Sequence, residues 1–177
     1  VEIGTGRDPG QAADAGRERR LVKINGAFVG GPSALAEHLA VIWLTPQMDR
    51  LFGDAASQRR RFLDRLVFGF HPDHAGQLGA YERAMRERNR LLKDSPRPDP
   101  AWLAALEDTM ATSGTAVAAA RRELVARLRG AESLMIEGPF PRAELAIDGR
   151  IEAWLGDRPA VDAEEAFRNL LCDNRRI

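Results

Sequence analysis

The chain has a single cysteine, Cys172, among its 177 residues, so it can form no intrachain disulfide, and its composition suits a reducing compartment. It has no apolar run approaching the roughly twenty residues that cross a bilayer, and it does not open with the basic-then-apolar pattern of a signal peptide. It also lacks a surplus of charge. Lys plus Arg and Asp plus Glu number 26 each, so no global field draws it to nucleic acid or to an anionic membrane, and any such contact must come from local patches. There is no internal repeat and no low-complexity tract. These absences describe a soluble chain, expected in the cytoplasm, long enough for one sizeable domain or two small ones with a real core.

Local absences narrow the chemistry. The Gly-rich "INGAFVGGPS" lacks the lysine followed by Ser or Thr that a Walker A phosphate loop requires, and reads as a turn. His71 and His74 stand three apart, but no Cys, His or carboxylate cluster completes a metal set, so they read as a histidine pair at a helix start. Cys172, beside Leu170 and Leu171 with no histidine near to activate it, reads as a packed thiol. No Gly-x-Ser-x-Gly elbow is present. A free-standing enzyme with its site inside this segment therefore finds no supporting constellation.

What is present is a mixed, mostly helical pattern. "VEIGTG" and "RLVKING" alternate as half-buried strands do, with Arg7 to Gly16 as the loop of a hairpin. Ser33 caps a short helix, "ALAEHL"; "AVIWLT" is then a continuous apolar run of the kind covered on both faces, ended by Pro46. From Ser57 the period becomes helical, with Ser57 or Asp54 as cap and Phe62, Leu63, Leu66, Val67 and Phe70 on one face. At about 100° per residue, Arg59 falls in the middle of that face and needs a buried acceptor, while Arg60 and Asp64 lie one turn apart on its flank. Arg61 and Arg65 point the other way, to water or a ligand.

"HPDH" begins a long helix with a seam of Leu78, Tyr81, Met85, Arg88 and Leu92. "DSPRPDP" breaks it, and Asp99-Pro100 starts a second helix to about Arg129, with Leu103, Leu106, Met110, Ser113, Val117, Ala120 and Leu124 on its seam. The short rigid link predicts an antiparallel hairpin, and the small residues between Ala111 and Ala120 let the partner come close. Asp148-Gly149 gives a hairpin signal, although "RIEAWL" is equally compatible with helix. From Asp162, "AEEAFRNLLCDNRR" is amphipathic, with acids in its first turn and bases at its end. Glu82 to Lys93 interleaves arginines with acids, as a solvated face does, yet Arg83 and Arg86 stay candidates for DNA contact together with Arg61 and Arg65. Val at position 1 and the helix-like end "DNRRI" suggest a piece of a longer protein.

One set of residues carries a family likeness. Pro46, Leu51, Arg59, Arg60, Phe62, Leu63 and Asp64, at this spacing, resemble the signature of the RecF family of bacterial DNA replication and repair proteins, and "VIWLTPQMDRLF…SQRRRFLDRL…YERAMRERNRLL" is similar to its alphaproteobacterial members in particular. The likeness covers the whole chain. In that pattern the first two arginines and the aspartate are fixed and the third arginine is free. Gln47 stands where the family usually has an acid, and Asp54 and Ala56 stand where it has Gly and Pro, so carry-over within that turn is weakened.

The resemblance implies an α+β, predominantly helical fold. It would comprise part of an ATP-binding-cassette head, related to structural-maintenance-of-chromosomes ATPases, and an inserted antiparallel helical-hairpin arm. The division would be residues 1–70 in the head, 71–130 in the arm and 131–177 returning toward the head. The parent would be a weak ATPase using ATP and Mg²⁺, with its Walker A loop before this segment and its signature loop and Walker B carboxylates after it; this piece alone would be non-catalytic and hold no cofactor. It would form an ATP-dependent homodimer, bind DNA at single-strand/duplex junctions and gaps, and work with RecO and RecR to load RecA in recombinational repair and the SOS response. Gln47 would resemble a Q-loop residue sensing the γ-phosphate. The rival reading is a non-catalytic structural or protein-interaction module in which the arginines only hold the fold together.

Overall fold

The structure, a computed structural model, describes residues 1–7, 20–29, 35, 38, 39, 41, 43, 45–133, 138 and 142–175. The loop expected between the first two strands, the Ser33 cap, half of "ALAEHL" and alternate residues of "AVIWLT" lie outside these.

Strands β1 (Ile3–Arg7), β2 (Arg20–Ile24) and β3 (Ala27–Val29) form one antiparallel sheet in the order β1-β2-β3. β1 and β2 are the expected hairpin pair, in register Ile3 to Ile24 and Arg7 to Arg20. Period-2 alternation holds on β2, where Val22 and Ile24 are buried and Lys23 is exposed. Lys23 lies directly across from Phe28 on β3, its Nζ 4.4 Å from the ring centroid. Asn25 and Gly26 join these strands with φ of 50° and 82°, the left-handed pair that a two-residue hairpin needs. "INGAFV" is therefore a turn, as its glycine suggested, and also the start of a strand.

The rest is helical: α1 (Ala56–Phe68), α2 (His74–Asp94), α3 (Pro100–Ser133), α4 (Arg150–Asp157) and α5 (Ala160–Asp173). α3 is the central element, and α1, α2, α4 and α5 all pack on it. Asp99 caps it as predicted, its Oδ1 accepting from the backbone N–H of Ala101 at 2.8 Å. Leu103, Met110, Ser113, Val117 and Leu124 of its seam are buried. Each such aliphatic side chain removed from water contributes about 1.5–3 kcal/mol. Residues 74, 81 and 88 of α2 face 121, 114 and 107 of α3, in steps of seven on both helices, which sets an antiparallel register: His74 and Arg121 share Asp64, Tyr81 lies against Gly114, and Arg88 pairs with Glu107.

Close approach depends on the small residues of α3. A Cβ on Gly114 would come within 2.8 Å of Phe167 Cε1 and 3.1 Å of the Tyr81 ring, so this position admits α2 on one side and α5 on the other. Phe167 and Leu171 of α5 complete a core with Ala84, Met110 and Ala111, and Ile151 and Trp154 of α4 pack against it.

One local expectation is corrected, and one left open between hairpin and helix is decided. Val41 and Trp43, in the run read as a covered strand, are 55% and 49% exposed, and residues 41, 43 and 45 carry no strand structure. The segment after Asp148-Gly149 is not the second arm of a hairpin. It is α4, because Ile151 and Trp154, spaced by three, find the α3–α5 core to pack on, and that burial outweighs the turn signal.

Candidate functional site

Pro46 opens a 3-10 turn, Pro46–Arg50, with Gln47 at its second position. The chain then turns through Leu51 to Ala55 into α1. The N-cap is Ala55, with no side-chain hydrogen bond, so neither Ser57 nor Asp54 caps the helix as expected. Residues 56–61 are all exposed. Arg59 is therefore not inside the protein. Its Nη1 donates to the backbone carbonyl of Asp54 at 2.7 Å, tying the helix to the preceding turn in solvent. Arg60 is exposed too and makes no ion pair or hydrogen bond among the described residues, although its charge reaches Tyr81. Arg59 does share a helical stripe with Phe62 and Leu63, but among the described residues that stripe is exposed through 56–61 and only half-buried at 62 and 63. Burial on α1 begins only at Asp64 and Val67.

Asp64 is the buried member of the motif, with 4% of its surface exposed. Its Oδ1 accepts from Arg121 Nε at 2.8 Å and lies 2.9 Å from His74 Nε2; its Oδ2 accepts from Arg121 Nη2 at 2.8 Å. One carboxylate thus joins α1 to the first residue of α2 and to the middle of α3. Burial opposes its ionisation, but the hydrogen bonds from His74 and Arg121 outweigh that and hold the carboxyl below its ordinary pKa. His74 is 3% exposed and stacks at a tilt on Phe68, with ring centroids 5.4 Å apart. Its partner in the sequence pair, His71, instead faces Glu123 at 3.2 Å. No group of three or more potential metal ligands occurs among the described residues.

A second ionic centre escaped the sequence reading. Glu107, 1% exposed, accepts from Arg88 Nε at 2.9 Å and from both Nε and Nη2 of Arg175. Arg88 Nη2 also donates to the carbonyl of Leu171 at 2.6 Å, near the negative end of α5. Burial pushes the Glu107 pKa up, but the two guanidinium groups more than reverse this, and the same contact raises Arg175. The signal was present: Arg88 stood on a seam and required an acid, and Glu107 lies on the stripe of Leu103, Leu106 and Met110.

The four arginines singled out for ligand contact fare differently. Arg61 and Arg83 are exposed without an acidic partner among the described residues. The Arg83 guanidinium folds back over Gly79, its Nη1 3.1 Å from where a Cβ would stand. Arg86 is exposed and reaches Glu82 only at 3.5 Å. These two line a shallow groove of about 490 Å³ with Ala80, Ala84, Glu87, Leu106 and Thr109. Arg65 does not point freely outward: it is half-buried against Trp43, 4.7 Å from the ring, with Nη1 buried and unpartnered among the described residues. Cys172, expected to be packed, is exposed, because the buried face of α5 is Ala163, Phe167 and Leu171. Among the described residues no helix is long and apolar enough to cross a membrane.

The chain is similar to curated proteins named DNA replication and repair protein RecF. That of Mesorhizobium japonicum is 48% identical over 176 residues, covering 99% of this chain and 45% of the relative. That of Rhizobium etli is 44% identical over 176 residues, covering 99% and 46%, and that of Brucella suis is 44% identical over 177 residues, covering 99% and 44%. The chain spans about half the length of the curated relatives it matches. No family model matches the chain, and no solved structure matches it significantly. Along nearly its whole length, then, the chain is homologous to part of a RecF-family protein, as the residues around Arg59 and Asp64 had indicated.

Proposed function

We propose that this chain is a segment of a DNA replication and repair protein and contacts the DNA phosphate backbone through the exposed arginines of α1 and α2. The observation that carries the reading is its 44–48% identity to proteins of that name. Its physical counterpart is a set of cations, Arg60, Arg61 and Arg83, left in solvent with no acid among the described residues to neutralise them. In the whole protein, ATP and Mg²⁺ would bind an ATP-binding-cassette head completed by chain outside this segment, and ATP would drive homodimerisation. DNA at single-strand/duplex junctions would be held while RecO and RecR help load RecA. Gln47, on the turn that leads into α1, would report the nucleotide state, and a Gln47→Ala substitution in the intact protein would impair ATP-dependent dimerisation.

A salt titration of DNA binding tests the reading. Each phosphate contact removed lowers the slope of log affinity against log salt by about 1. Arg61→Ala and Arg83→Ala are expected to do so. Unchanged slopes in both would instead favour a protein-interaction module whose arginines serve the fold alone.

A further inference from the structure

α1 is held to the rest of the protein in a different way from the other helices. α2, α3 and α5 share an apolar core and the Glu107 centre. α1 buries only Asp64 and Val67, and its first six residues, 56–61, are exposed. Among the described residues its attachment to α2 and α3 has one fully buried aliphatic side chain, Val67, the half-buried Phe62, Leu63 and Leu66, the tilted contact of Phe68 with His74, and at its centre one buried carboxylate shared between His74 and Arg121. An apolar interface weakens gradually with the area lost. A buried ionic joint is stable while every partner is present and fails sharply when one is lost, because the charge left behind is uncompensated.

We propose that α1 is a latched element with Asp64 as its catch: when the Asp64–Arg121 contact breaks, α1 leaves the α2–α3 hairpin as a unit and the hairpin stays folded. Arg60 lies one turn from the catch and Arg61 three residues from it. A polyanion gripping these exposed side chains pulls on the same short helix that Asp64 fastens, so contact at the arginines and the hold on the hairpin are linked. The latch stands on the packing alone; the phosphate-contact reading supplies only the identity of the load.

Hydrogen exchange followed by mass spectrometry on the 177-residue chain and its Asp64→Asn variant decides the matter. The variant's amides from Leu63 to Phe68 are expected to exchange faster by on the order of a hundredfold. Those of Ala84–Leu92 and Leu103–Val117 should change by less than about threefold. Equal acceleration across all three stretches would overturn the latch and make Asp64 a keystone of the whole fold. An unchanged α1 would overturn it too. Should Asp64→Asn not fold, wild-type exchange at low urea decides instead: α1 opening in its own step below the hairpin supports the latch, and simultaneous opening refutes it. Both measurements are independent of DNA, so a failed DNA titration leaves them readable.

Discussion

Replacing Glu107 by Gln removes the charge from the most buried ionic centre while nearly preserving its shape. The side chains of Glu107, Arg88 and Arg175 are 1%, 6% and 26% exposed, so the substitution leaves one guanidinium dry and one half-wet with only an amide between them. Removing one partner of a buried ion pair costs about 3–5 kcal/mol. Two features hold this case to the lower end, about 3 kcal/mol: Arg88 keeps its bond to the Leu171 carbonyl near the C-terminus of α5, and Arg175 retains some water. With a urea m-value of about 2 kcal/mol/M, the unfolding midpoint should fall by about 1.5 M, read by circular dichroism with m unchanged. A fall below about 0.5 M would refute the account, since the carboxylate would then contribute little to neutralising the two arginines. Joint replacement by Arg88→Met and Glu107→Leu should be better tolerated than Glu107→Gln alone, because the dry guanidinium of Arg88 goes with its acid and only the partly hydrated Arg175, which loses its partner in both, keeps an unpaired charge.

Further outcomes follow from the same geometry. Gly114→Ala should destabilise the fold by about 1–3 kcal/mol in a urea or thermal melt, because its methyl group meets Phe167 and Tyr81; a neutral result would mean that α5 is not seated as described. Asp99→Ala, which removes the cap of α3, should cost about 1 kcal/mol in the same assay. Asp64 and Glu107 both have pKa values lowered by folding, so each contributes stability above its unfolded pKa and loses it as the pH falls through its folded one. Stability should therefore drop as the pH falls from the ordinary carboxylate range, about 4, and below, and a variant carrying both Asp64→Asn and Glu107→Gln should show a flatter acid limb in a pH series of urea midpoints.

The helices were legible because their signals are local. Three prolines between Asp94 and Ala101 had to end one helix, Asp99 had to cap the next, and seven-residue steps on both sides fixed which faces meet. The third strand was missed although Asn25-Gly26 announced it, because the glycines after Val29 drew the whole stretch into a loop. α4 was left undecided between strand and helix, since a segment this short has no strong preference until a partner covers one face.

The arginine motif marks the limit of such reading. Its spacing determined that Arg59 shares a stripe with Phe62 and that Asp64 lies one turn beyond Arg60, and it carried the family likeness. It could not tell where along α1 the neighbouring helices begin. That was decided by the position of α3, whose Arg121 is 57 residues away in sequence and meets Asp64 only through the fold. The outcome reversed the expected roles: the cations stand in solvent and the anion is sequestered. Sequence alone determines the period of an amphipathic helix, because 3.6 residues make a turn whatever surrounds it. Burial is a property of the surroundings, and only the packed structure supplies them.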